Sequence, residues 1–293
     1  ARKAAPSPLC ISRVTTCKAN QAVNEISPNG LIASLNNIAV AAGQAILKVY
    51  RQDFEVTHKA DQSPLTQADL ASHRLIRDAL ARLTPNVPLL SEESADIDFA
   101  VRSSWPEYWL VDPLDGTKEF VNRNGEFTVN IALIRGHEPL LGVVHVPVTG
   151  VTYTGVVGTG ATRQAAGGEP EPIQVRTPSA DPVRVVGSRS HTNPRLQHHL
   201  KPLGAYEMVS MGSSLKFCLL AEGKADLYPR LGPTSEWDTA AAHAVVLAAG
   251  GRIVTLDNRP LQYNCKPSLL NPEFLVFGDP ARDWLALFRD RHD

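Results

Sequence analysis

The chemistry of this chain is densest at Asp112-Pro113-Leu114-Asp115-Gly116-Thr117. The apolar run just before it, Tyr108-Trp109-Leu110-Val111, predicts a buried strand. Two carboxylates three residues apart therefore leave the end of a strand. Pro113 fixes its own φ and biases Asp112 toward an extended conformation, so the first carboxylate projects from that end. Gly116 permits a tight turn, and Thr117 is placed to cap a following helix whose free N–H groups attract an anion. The arrangement offers hard oxygen ligands for a divalent cation beside a phosphate seat. The plain alternative is an Asp-rich turn that caps a helix.

Other acids weigh against that alternative. Ser91-Glu92-Glu93-Ser94 follows the apolar residues 87–90 and brings carboxylates to a second strand end. Thr66-Gln67-Ala68-Asp69 opens a helical segment reaching residue 83. Trp237-Asp238-Thr239-Ala240-Ala241 opens a small-residue helix that runs to residue 249, before Gly250-Gly251. Singly, Asp238 is explained by the helix macrodipole, Glu92 and Glu93 by solvation, and Asp69 as a first-turn acid. Together they are carboxylates from four segments with almost no His or Cys nearby, a donor set that suits Mg²⁺ and argues against Zn²⁺. Neighbours in an extended segment point to opposite sides, which leaves Glu93 in a supporting or structural role beside Glu92.

With these blocks the chain resembles the lithium-sensitive, Mg²⁺-dependent phosphatases related to inositol monophosphatase. Within that superfamily it is similar to the bacterial 3′(2′),5′-bisphosphate nucleotidases of the CysQ type. The blocks that carry this are the stretch from Tyr108 through Asp112 and Asp115 to Phe120, then Asn124-Gly125-Glu126-Phe127-Thr128-Val129-Asn130. Gly212-Ser213-Ser214-Leu215-Lys216-Phe217-Cys218 and Leu227-Tyr228-Pro229-Arg230 follow in the same order. The likeness spans about residues 31–277 and leaves the first thirty outside it.

The resemblance implies two or three Mg²⁺ ions. The first would be held by Glu92, Asp112 and the carbonyl of Leu114, the second by Asp112, Asp115 and Asp238. It implies that Asp69, assisted by Thr117, positions a further metal or the attacking water, and that N–H groups near Gly116 and Thr117 bind the scissile phosphate. These roles suit the reaction: a phosphate monoester is a poor electrophile, and its hydrolysis needs charge neutralisation, an activated water and help for the departing alkoxide. Metal ions roughly 3.5–4 Å apart supply all three in an in-line displacement.

Substrate choice is expected in the C-terminal region. His191 follows a strand, Ser213 and Lys216 share one face of a helix at i and i+3, and Arg230 closes a strand. On residue type alone these are a surface loop and solvated charges. The resemblance instead implies that His191, Ser213, Lys216 and Arg230 grip an adenosine bisphosphate. The expected partner is then a small nucleotide, 3′-phosphoadenosine 5′-phosphate, with its phosphosulfate a second candidate. The rival readings are an inositol monophosphatase or other sugar phosphatase, and a nucleotide-binding sensor without turnover.

Composition fits a globular enzyme: 293 residues, 43% hydrophobic, 20% charged, formal net charge −1. That charge gives no general attraction to a nucleic acid polymer. No run is expected to approach the length of a membrane span, so no stable membrane insertion is expected. Cys10, Cys17, Cys218 and Cys265 lack metal-ligand spacing, and a reducing cytoplasm is the expected location, with a peripheral place at the inner membrane as an option. The oligomeric state is left open.

The expected fold class is α/β, an α+β N-terminal part followed by an α/β C-terminal part. The resemblance implies a layered α/β/α/β/α sandwich. Residues 1–30 read as an irregular extension, 31–180 as a metal-binding subdomain, and 181–293 as a substrate-binding subdomain. Helices are expected at 31–51 and 68–83, and a strand at 109–111. An antiparallel meander is expected over 128–134, 140–146 and 151–156, then a flexible hairpin or loop over 158–172. Strand–helix alternation follows residue 178.

Overall fold

The apolar runs of the sequence become two stacked sheets. A computed structural model of the protein describes residues 28–52, 56–58, 64–188 and 194–289. The N-terminal half runs α1 (Pro28–Tyr50), β1 (Val56–His58), β2 (Pro64–Thr66), α2 (Gln67–Leu83), β3 (Leu89–Ser91), α3 (Phe99–Arg102), β4 (Glu107–Asp115) and α4 (Thr117–Val121). Then come β5 (Thr128–Arg135), β6 (Glu138–Val146), β7 (Val151–Val156), β8 (Gly160–Gln164) and β9 (Pro170–Ile173). The C-terminal half runs β10 (Val183–Ser188), α5 (Pro194–Leu200), β11 (Tyr206–Met211), α6 (Leu215–Ala221), β12 (Leu227–Arg230), α7 (Glu236–Ala248), β13 (Arg252–Thr255) and β14 (Phe274–Phe277).

One sheet has seven strands in the order β3-β4-β5-β6-β7-β8-β9, parallel only between β3 and β4. The other has five, β11-β10-β12-β14-β13, with β10 parallel to both its neighbours. Helices α1 and α2 cover the outer face of the first sheet, around a core of Leu35, Ile46, Ile76, Trp109 and Ile131. Helices α6 and α7 fill the space between the sheets. On the far face, Leu200 of α5 and Trp284 of a terminal 3₁₀ turn pack on Val185 and Leu275. The layers are α/β/α/β/α, as expected.

Local differences have local causes. Of the two expectations for 158–172, a hairpin or a loop, the hairpin holds: β8 and β9 pair antiparallel and extend the meander to five antiparallel strands. Gly158 and Gly167, at positive φ, occupy the turns, and the polar residues of these outer strands hide their alternation. Helix α1 starts at Pro28 rather than residue 31, since proline is tolerated in a first turn. The expectation that no run approaches the length of a membrane span is overturned. By length and composition the 23-residue α1 is long and apolar enough to cross one. In this fold its Leu31, Leu35, Ala39, Ala42 and Ile46 are buried in the core.

The inner helix α7 is buried on nearly every side and packs on β4, β5, β6 and β7. Gly142 of β6 and Gly155 of β7 are partners across the ladder. A Cβ on Gly142 would lie 2.1 Å from the carbonyl oxygen of Ala241, and one on Gly155 would lie 2.5 Å from the Cα of Val245. The helix backbone therefore rests directly on the sheet, which sets the height of its N-terminal residue Asp238.

Candidate active site

In a regular strand, residues three apart face opposite sides. Strand β4 escapes that rule. Asp112 lies opposite Asn130 of β5 and Asp115 opposite Thr128, so three steps on one strand answer two on the other. The extra residue is a bulge that turns both carboxylates to one side and accommodates Pro113 within the strand. It also carries the strand four residues beyond the expected end at 111. The peptide between Pro113 and Leu114 is held at both ends: Ser72 Oγ donates to its carbonyl at 2.7 Å, and its N–H donates to Asp112 Oδ1 at 3.0 Å.

Leaving the bulge, the chain turns at Gly116, whose φ of 88° makes it the N-cap of the five-residue α4. The expectation that Thr117 caps this helix is corrected. Thr117 is its first residue, because the sharp turn needs the left-handed conformation at the cap. Its Oγ1 instead donates to the Leu114 carbonyl at 3.4 Å.

Asp238 arrives on α7, where the Ser235 N–H donates to its Oδ2 at 2.8 Å. The Ser214 N–H donates to Asp115 Oδ2. Each of Asp112, Asp115 and Asp238 thus has one oxygen tied by a backbone amide, and the three offer oxygens within 4.8 Å of one another. Burial pushes the Asp112 carboxyl well up, and the charges of Glu92, Asp115 and Asp238 add to it. Burial also raises Asp115, opposed by Lys216 and the Ser214 amide. Asp238 is pushed up to about 8 by burial, then by Asp115 and Glu92. Acids that resist ionising side by side mark a place short of positive charge. A divalent cation fits that deficit, and an all-oxygen donor set suits a hard one.

Glu92 stands just outside the triad. Strand β3 runs parallel to β4 with Ser91 beside Val111, so the next residue comes up beside Asp112. It lies in a 3₁₀ turn, Glu92–Ser94, and the strand-alternation argument about Glu93 does not apply there. Glu93 acts electrostatically on His73 of α2. Asp69 is buried in the first turn of α2 and is not among the three clustered acids. One turn further, Ser72 ties α2 to Pro113, and His73 Nδ1 bonds Ser91 Oγ at 3.0 Å. Both carboxylate-bearing strand ends are thereby locked to the helix that carries Asp69.

A cavity of about 150 Å³ opens on the cluster, lined among others by Asp115, Gly116, Asp238, Ser213, Lys216 and Arg230. The expected helix face shared by Ser213 and Lys216 is corrected: α6 begins at Leu215, and Ser213 precedes it in the left-handed region with φ 45°. The Lys216 Nζ donates to the Ser213 carbonyl at 2.6 Å and lies 5.7 Å from the centre of the Tyr228 ring. Burial draws this ammonium down to about 8, with Asp115 pulling it up and Arg230 pushing it down. Arg230 is oriented by its own chain, Nε to Gly232 O at 3.1 Å and Nη2 to Pro233 O at 2.7 Å. His191 lies outside the described residues.

Sequence reasoning missed Ser72, His73, Thr128, Asn130 and Ser214. Ser214 Oγ bonds both Thr128 Oγ1 at 2.8 Å and Asn130 Oδ1 at 2.9 Å. A signal existed for two of them: Thr128 and Asn130 are polar residues at alternate positions of a strand that is otherwise apolar up to Ile134.

This five-layer fold with a carboxylate cluster between its sheets is that of metal-dependent phosphatases. Residues 29–276 match the Inositol monophosphatase family, and the chain belongs to it. The 3′(2′),5′-bisphosphate nucleotidase CysQ of Escherichia coli K12 is 52% identical over 241 residues, 82% of this chain and 96% of that protein. The protein of the same name from Haemophilus influenzae is 37% identical over 253 residues, 86% and 94% of the two chains. The crystal structure of CysQ from Bacteroides thetaiotaomicron superposes with a TM-score of 0.75 at 43% identity, covering 85% of this chain and 97% of that one.

Proposed function

We propose that this protein is a 3′(2′),5′-bisphosphate nucleotidase, a Mg²⁺-dependent phosphomonoesterase that converts 3′-phosphoadenosine 5′-phosphate to AMP and phosphate. The observation that carries the reading is one cleft lined by two of the clustered acids, Asp115 and Asp238, together with the cations Lys118, Lys216 and Arg230. A site for a single phosphate has less use for the cations, whereas a bisphosphate has a second anion to be held. The names of the relatives point the same way.

In this reading Glu92, Asp112, the Leu114 carbonyl, Asp115 and Asp238 would hold two or three Mg²⁺ ions. Bound there, Mg²⁺ supplies charge neutralisation on the phosphate and a more acidic water. The chain supplies the rest. Asp69 with Thr117 orients the attacking water, the N–H groups of Gly116 and Thr117 receive the scissile phosphate, and Ser213, Lys216, Arg230 and His191 hold the 5′-phosphate. A cytoplasmic location belongs to the same proposal and rests on the free thiols of Cys218 and Cys265. The test is phosphate release from 3′-phosphoadenosine 5′-phosphate and from inositol 1-phosphate, each with Mg²⁺ and with chelator. Faster turnover of the inositol phosphate would reverse the assignment.

A further inference from the structure

The loop Gly212-Ser213-Ser214 joins β11 to α6 and crosses the N-terminal half of the chain at very close range. A Cβ on Gly212 would lie 2.8 Å from Glu119 Cγ and 3.0 Å from the Glu126 carbonyl oxygen. From the other side, a Cβ on Gly116 would lie 3.1 Å from that same oxygen and 3.2 Å from the Cβ of Ser213. The turn after the Asp115 bulge and the loop that lines the cleft thus both pack on the backbone of Glu126, with the Ser213 side chain against the turn.

Two carboxylates hold this crossing. Asp115 Oδ2 accepts the N–H of Ser214, and Glu126 Oε2 accepts the N–H of Gly212 at 2.8 Å. They sit on either side of Ser213, whose left-handed φ of 45° is a sparsely populated conformation for a residue with a side chain. Such a conformation persists only where its surroundings over-determine it. Glu126 is itself placed by a local turn: Gly125 has φ 79°, and the Glu126 N–H donates to Asn124 Oδ1 at 2.9 Å. The carbonyl of the constrained Ser213 receives the Lys216 ammonium. The position of the cation in the cleft therefore depends on the loop that Glu126 straps.

We propose that Glu126 is a positioning residue for substrate selectivity: it clamps Gly212, holds Ser213 in its left-handed conformation, and so presents Ser213 and Lys216 to the non-reacting phosphate. The inference rests on the bisphosphate reading. It differs from a metal-ligand role, because Glu126 lies outside the acidic cluster.

Glu126→Ala and Glu126→Gln separate the possibilities. Glutamine keeps an acceptor oxygen for the Gly212 N–H, and alanine does not. With saturating Mg²⁺, Glu126→Ala should raise the ratio of the KM for 3′-phosphoadenosine 5′-phosphate to that for 3′-AMP about tenfold, the scale of one lost charge-assisted contact. Glu126→Gln should bring the ratio back to within about threefold of wild type. Amide hydrogen exchange over residues 211–217 should quicken in Glu126→Ala and recover in Glu126→Gln. An unchanged ratio, equal losses on both substrates, or a glutamine variant as impaired as alanine would overturn the strap. Wild-type protein that turns over neither nucleotide would strike the bisphosphate reading instead, and the exchange rates would then decide the strap alone.

Discussion

The backbone N–H of Ser214 donates to Oδ2 of Asp115. An acid of the cluster is thus also an anchor for the loop that lines the cleft, and any change at one is felt at the other. The same oxygen lies 3.4 Å from Thr128 Oγ1 and 3.5 Å from Asn130 Nδ2, so β5 braces the contact from below.

Asp238→Asn should abolish phosphate release at saturating Mg²⁺ while leaving the fold intact. The exchange keeps volume and removes one negative charge from a cluster whose members already resist ionisation. Thermal melting in chelator should show a variant at least as stable as wild type. Near-normal turnover would show that the acidic cluster is not the reaction centre.

Metal-free protein should lose stability as pH rises from 6.5 to 8. Asp112, held well above the ordinary carboxylate range, and Asp238, pushed up to about 8, have folded pKa values above those of the unfolded chain, so the native state binds more protons and the slope is negative. Lys216, drawn down to about 8, begins to oppose it at the top of the window. Glu236, pushed up to about 7 by burial, acts in the same direction. Below 6.5 the buried imidazoles of His145 and His243, drawn down to about 4 and about 3, oppose the trend. Excess Mg²⁺ should flatten or reverse the slope, because a bound cation favours the ionised acids. Melting curves across that window, with chelator and with Mg²⁺, check the sign. A flat profile in chelator would contradict it.

Gly142→Ala should lower both stability and Mg²⁺ affinity. The new methyl group would meet the backbone of α7 at Ala241, and overpacking of this kind costs about 1–3 kcal/mol. Lifting α7 from the sheet also displaces Asp238. A melting temperature and a half-saturating Mg²⁺ concentration equal to those of wild type would mean that the contact yields more easily than the geometry suggests.

Lys216→Ala combined with Arg230→Ala should raise the KM for 3′-phosphoadenosine 5′-phosphate strongly and that for 3′-AMP much less. A charge-assisted contact to phosphate is worth about 1.5–3 kcal/mol, so each loss corresponds to tenfold or more. Removing Lys216 also takes away a cation that holds down the pKa of Asp115, so kcat should fall on both substrates. Steady-state kinetics on the pair of nucleotides separates the two effects. Equal changes in KM would remove the case for a second-phosphate site.

Much of the site was legible in the chain itself. The strand before Asp112, the four acid-bearing segments, the small-residue helix from Asp238 and the meander from Thr128 all follow from residue type and period, which report on neighbours along the chain. What local pattern could not decide is register and close approach. Asp112 and Asp115, three residues apart, share a face only because a bulge inserts one residue against β5. Glu92 reaches them only because β3 pairs in parallel with β4 and then turns into a 3₁₀ helix. Ser213 leaves the expected helix face because amides on both sides of it are held by Asp115 and Glu126, residues roughly a hundred positions earlier. Side-chain chemistry is a property of the sequence, whereas the direction in which a carboxylate points depends on backbone hydrogen bonds made across the sheet, and those exist only once the fold has closed.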